Sequence, residues 1–123
     1  AHEALSEFVS ECNQNDTEAI ICAAGMAAAL PGVVAAQTVI PVSGVPLSAS
    51  VLDGMDALMS LVQMPPSIPV ATVGINGAKN AAWLALNIIG NKHLEIREKL
   101  IAYRKKLAED AVKTNEEIIE KYK

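Results

Sequence analysis

Short uncharged apolar runs alternate along this chain with longer segments whose apolar residues recur at helical spacing. Leu5, Phe8, Val9 and Cys12 share one face of a helix predicted from Glu3 to about Asn13. Asn13-Gln14-Asn15-Asp16 reads as the turn that ends it. Ala19–Ala23 has the length and β-branching of a buried strand. Leu30 to Thr38 predicts a short helix and Val39–Val45 a second strand. A helix from Gly54 to Gln63 follows, with Asp53 as its N-cap, Asp56 at its third position and Pro65 enforcing the stop. Pro69–Ile75 is the third strand, and Ala78–Ile89 a helix ended by Gly90. Lys92 to about Lys113 predicts a charged amphipathic helix, and Thr114-Asn115-Glu116-Glu117 a capping box opening one last helix. Strands alternating with helices imply an α/β fold with a parallel sheet and right-handed crossovers. The near-continuous apolar strands suit a sheet covered on both faces.

A length of 123 residues predicts a single domain, 1–123. Half the residues are hydrophobic but only 3% are aromatic, so the core must be aliphatic and rich in alanine. No apolar segment reaches the length of a membrane span, and no basic-then-apolar leader is visible. Two cysteines, Cys12 and Cys22, are too few for a disulfide framework, which points to a reducing cytoplasm. Cys22, at the end of a strand, reads as a small core residue. All ten Lys and Arg lie at position 79 or later, whereas the first 78 residues carry seven acids. This distribution lacks the basic patch with stacking aromatics that a nucleic-acid surface needs. Metal-ligand spacing is absent, and His93, with no second ligand at i+4, reads as a surface residue.

Candidate chemistry centres on residues 22–32, Cys-Ala-Ala-Gly-Met-Ala-Ala-Ala-Leu-Pro-Gly. They carry no charge and nothing larger than Met26. A strand that empties into small residues before a helix lets a ligand approach the backbone, at the end of the sheet where α/β proteins bind ligands. The candidate binding residues are Ala24, Gly25, Met26, Ala27, Ala28, Ala29, Leu30 and Pro31. Helix–sheet packing by small residues is the plainer reading of the same stretch. Ser43, Ser48 and Ser50 could hydrogen-bond a carboxylate or a ribose, although such serines more often serve turns and caps. Asp53 and Asp56 read as capping carboxylates rather than a catalytic dyad. Asn76, Lys79 and Asn80 form the loop after the third strand, with Lys79 read as solvated rather than as a phosphate ligand.

Four segments carry a resemblance: Gly25 to Gly32, Pro41 to Pro46, Leu52 to Val73, and Asn80-Ala81. Together they closely resemble the 5-(carboxyamino)imidazole ribonucleotide mutase family, most specifically through Val62-Gln63-Met64-Pro65 in its context. The resemblance implies a three-layer flavodoxin-like parallel sheet with helices on both faces, plus C-terminal helices. It implies a carboxylase-like isomerase of purine biosynthesis that moves a carboxylate from nitrogen to ring carbon 4 through carbon dioxide. Neither metal nor organic cofactor is implied. The partners implied are the ribonucleotide and further copies of the chain in a homo-octamer, with no nucleic acid and no membrane.

His2 matches the family's acid/base histidine, a role imidazole suits because its unperturbed pKa lies near neutrality. Its plainer reading is a solvated terminal residue. Ala29 stands where the family has a second histidine, and Met26 where it has a glycine. The family spacing from His2 to the first strand is about three residues longer, of ordinary connection length. An Arg-Thr-Pro after His2 would restore the spacing and add a cation. The family's preceding strand–helix–strand portion, with its Gly-Ser-x-Ser-Asp phosphate loop, is not in this sequence, so the expectation is either a fragment or an N-terminal half that comes from another chain. Two other readings stand beside the mutase. One is a related pyridinium biscarboxylate synthase domain of nickel-pincer cofactor assembly, which Gly25-Met26 to Ala35 also resembles. The other, favoured by Ala29, is an inactive relative that binds ribonucleotide or serves assembly.

Overall fold

The computed structural model describes residues 2–25, 29–48 and 52–122. Its elements are α1 (His2–Gln14), β1 (Ile20–Ala24), α2 (Leu30–Ala35), β2 (Val42–Pro46), α3 (Met55–Val62), β3 (Ala71–Thr72), α4 (Ala78–Ile89) and α5 (Leu94–Lys121). The chain divides into two compact units, Ala1–Ile88 and Ile89–Lys123.

The first unit is built on a parallel sheet of order β1-β2-β3. Ile20 pairs with Val42 and Cys22 with Gly44, and Gly44 pairs in turn with Thr72. This is the expected α/β architecture, a parallel sheet with helices around it. Side chains alternate along β1, with Ile20 and Cys22 buried and Ile21 and Ala23 exposed. The buried pair meets Val9 and Cys12 of α1, Val34 and Ala35 of α2, and Val42 of β2. A second cluster joins Ala57 and Leu61 of α3 to Ala24 and Val70. Gly44 explains how α3 lies so close to the sheet. A Cβ there would sit 3.0 Å from Leu61 Cδ2 and 3.2 Å from Val70 Cγ1. Because Gly44 shares a face with its partner Cys22, α1, α2 and α3 all pack on that face. Ser43 and Val45, on the opposite face of the central strand, are also buried.

Several boundaries differ from the hydrophobic pattern, each for a local reason. Helix α2 ends at Ala35 rather than Thr38, where the Gln37 N–H turns to the Val34 carbonyl (3.0 Å) and the Gln37 side chain donates to the Val33 carbonyl (3.0 Å). Strand β2 begins at Val42 rather than Val39, because the Thr38 hydroxyl takes the Ile40 N–H (3.0 Å) and leaves Val39 fully exposed. Strand β3 is confined to Ala71–Thr72. Pro69 offers no N–H to a ladder, and the chain turns at Ile75–Asn76. Asp53 does not cap α3. The N-cap is Gly54 at φ 90, preceded by Asp53 at φ 54, and no side chain caps this end. Both residues turn left-handed, which glycine adopts freely.

The second unit carries α5, a single helix of 28 residues. The expected break at Thr114 does not occur. A cap there would need extended backbone, and the strong helix formers on either side hold Thr114 inside the helix. Residues 101–122 are all exposed. Among the described residues, no helix is long and apolar enough to cross a membrane.

Candidate functional site

Three chain segments leave the sheet at its carboxyl end, and hydrogen bonds tie them together. The Leu47 N–H donates to the Ala24 carbonyl (3.0 Å), joining the ends of β1 and β2. The Asn76 N–H donates to the Pro46 carbonyl (2.8 Å), joining the β3–α4 turn to the end of β2. The Asn76 side chain then bonds Ser48 twice. Its Oδ1 accepts the Ser48 N–H (3.1 Å) and its Nδ2 donates to the Ser48 hydroxyl (2.8 Å). Asn76 has φ 59, a left-handed conformation that asparagine tolerates better than most residues. This linkage was not read from the sequence, although Asn76-Gly77 is a dipeptide that marks such turns.

The predicted binding residues begin where this linkage begins. Ala24 and Gly25 are half-buried at the end of β1. Met26, Ala27 and Ala28, like Ser50, lie outside the described residues. Ala29 is exposed and occupies the N-cap of α2, with its carbonyl accepting the Val33 N–H (3.0 Å). A methyl group can cap nothing, and no side-chain cap bond is made there. Leu30 is exposed, and Pro31 is buried in the first turn, where its missing N–H costs no helical bond. Gly32 carries the loop motif onto the second motif. A Cβ on Gly32 would lie 3.4 Å from Met64 Sδ, so the Leu30-Pro31-Gly32 and Gln63-Met64-Pro65 segments abut.

His2 opens α1 and is exposed. The other end of that helix is fixed at the amino end of β2. There the Asn13 amide donates to the Gln37 carbonyl (3.0 Å) and its Oδ1 accepts the Thr38 hydroxyl. The helix runs about 20 Å back from there, carrying His2 towards the carboxyl end of the sheet. Asp53 is exposed on the connection before α3, whereas Lys79 and Asn80, expected in the loop after the third strand, are exposed in the first turn of α4, because the loop ends at Gly77. Ser43 is buried within β2.

Other chemistry does not converge on this end. A groove of about 940 Å³ lies at the amino ends of the strands, lined by Asn13, Thr17, Gln37, Thr38, Ile40 and Ser67 among others. Among the described residues, none of the predicted binding residues lines it. Cys12 and Cys22 are free thiols in the core, and burial pushes the Cys22 thiol above its ordinary value. Such a thiol is a poor nucleophile. Among the described residues, no group of three or more His, Cys, Asp or Glu is placed to hold a metal.

A model of the AIR carboxylase family matches residues 1–110. The chain belongs to the AIR carboxylase family. Within it, the chain is 58% identical over 102 residues to the N5-carboxyaminoimidazole ribonucleotide mutase of Pyrococcus abyssi. That match covers 83% of this chain and 59% of the relative. The Pyrococcus horikoshii mutase is 52% identical over 103 residues, covering 84% of this chain and 58% of the relative. The Methanocaldococcus jannaschii mutase is 50% identical over 118 residues, covering 95% and 74%. The chain thus spans about three-fifths of the length of the two Pyrococcus relatives. The AIR carboxylase match takes in α1, the sheet and every segment at its carboxyl end.

Proposed function

We propose that the chain is the larger part of an N5-carboxyaminoimidazole ribonucleotide mutase, an isomerase of purine biosynthesis. The observation that carries this reading is the 58% identity to the Pyrococcus abyssi mutase across the segment holding the carboxyl-end loops. In the proposed reaction the carbamate C–N bond breaks, with a proton going to the nitrogen and carbon dioxide released into a closed pocket. Ring carbon 4 then attacks that carbon dioxide, and the proton on carbon 4 leaves. His2 carries the proton between carbon 4 and nitrogen. The backbone from Ala24 to Pro31 cradles the ring and carboxylate, and enclosure keeps water from the trapped intermediate. The phosphate is anchored by a part of the mutase that the relatives have outside the matched span.

The assembly is proposed to be a cytoplasmic homo-octamer in which neighbouring subunits complete each site. The apolar residues Leu100, Ile101, Leu107, Ala111, Ile118 and Ile119 of α5 supply interface area. A second reading is kept because of Ala29, which can neither donate a hydrogen bond from its side chain nor transfer a proton. In that reading the protein binds the ribonucleotide without turning it over.

The test is turnover and ribonucleotide affinity measured on the full-length protein. Conversion of the carbamate to the 4-carboxylate, reduced at least a hundredfold in His2→Asn, is the expected result. Binding without conversion supports the second reading, and absence of both overturns the proposal.

A further inference from the structure

We infer that Asn76 is a positioning residue for the ribonucleotide site, acting through the β2–α3 connection; this rests on the mutase reading above. The backbone N–H of Asn76 donates to the Pro46 carbonyl, and both ends of its side-chain amide engage Ser48. One residue of the β3–α4 turn therefore holds three groups on the segment that leaves β2. That segment is itself bound to the end of β1 through the Leu47 N–H and the Ala24 carbonyl. Asn76 thus closes a chain of contacts running Ala24, Leu47, Ser48, Asn76 across all three exits of the sheet. These are the exits from which a ligand at the carboxyl end must be held.

Two features separate this from ordinary loop structure. Asn76 and Ser48 are both exposed, so water competes for every bond they share, and the linkage contributes little to the stability of the fold. Asn76 also stands at φ 59, where glycine would serve the backbone without strain. An asparagine there satisfies the turn and supplies a planar amide that both accepts and donates. What the side chain adds is position. It fixes where the connection after Ser48 starts, and a displacement of about 1 Å at a binding loop is enough to cost a large factor in rate.

Three variants of the full-length protein separate position from folding. Asn76→Gly keeps the left-handed turn and removes the amide. Asn76→Asp keeps two oxygens that accept the Ser48 N–H and its rotated hydroxyl. Ser48→Ala removes only the hydroxyl bond. The expected result is a fall of at least tenfold in kcat/KM for Asn76→Gly, with a matching loss of ribonucleotide affinity and a melting temperature within a few degrees of the parent. Asn76→Asp should recover most of the loss, and Ser48→Ala should fall between. Parent-like affinity and kcat/KM in Asn76→Gly overturn the inference while leaving the mutase reading intact. So does an Asn76→Asp variant as impaired as Asn76→Gly. A parent protein that neither binds nor converts the ribonucleotide overturns the mutase reading, and the inference with it.

Discussion

At the scale of single residues, both the backbone and the space around Gly54 exclude a side chain. A Cβ there would stand 2.6 Å from Ile75 Cγ2, and φ is 90. Ile75 is 21 residues further along, so no reading of the local Asp53-Gly54 pair could reveal the contact. Gly54→Ala is therefore expected to destabilise the protein by about 2 kcal/mol, combining backbone strain with the clash. Urea unfolding checks it, and an unchanged midpoint would show that Ile75 yields freely. Asp53 was misread for the same reason, because a capping aspartate and an aspartate before a left-handed glycine look alike in sequence. The small-residue stretch from Ala24 to Pro31 stands out in the sequence as a candidate because its composition is extreme. The pairing of Asn76 with Ser48 was not, since 28 residues separate them.

Elements were read well where apolar spacing is long and regular, and poorly where side-chain hydrogen bonds set the ends. Helix α4 has the bounds its pattern predicts, Ala78–Ile89. Strand β2 and helix α2 do not, because Thr38 and Gln37 use side-chain atoms to end one and delay the other. The capping-box pattern at Thr114 was overridden by the helix around it, as tertiary or neighbouring context often overrides a four-residue signal. This yields a prediction of opposite sign to the motif. Inside a helix Thr114→Ala should raise stability by about 0.5 kcal/mol, whereas loss of a real cap would cost about 1 kcal/mol. Helical circular dichroism followed through thermal melting distinguishes the two, and a lowered midpoint would restore the break.

At the scale of the molecule, the alternation of apolar runs and amphipathic segments was sufficient for the α/β class and the parallel sheet. The charge asymmetry along the sequence follows the division into units. The ten bases begin in α4 and lie mostly in α5, while the sheet and its first three helices carry acids alone. The candidate site stands out in the sequence only as small-residue backbone at the carboxyl end of the sheet. Its side-chain linkage depends on which strand exits are neighbours, a property of the strand order rather than of any one segment.

The position of β1 has a consequence for handling the protein. Among the described residues β1 pairs on one side alone, and its sequence Ile-Ile-Cys-Ala-Ala contains no charge and no proline. Ile21 is 45% exposed on its outer face. Natural sheets guard such edges with lysine, proline or a bulge, and an unguarded apolar edge recruits other edges. This span, expressed alone, should therefore aggregate through β1 as its concentration rises. Light scattering against concentration measures this, and Ile21→Lys should raise the onset several-fold if the strand edge is the cause. An unchanged onset would place the sticking surface elsewhere. The strand that runs into the candidate binding loop thus also presents an unguarded edge for self-templated precipitation.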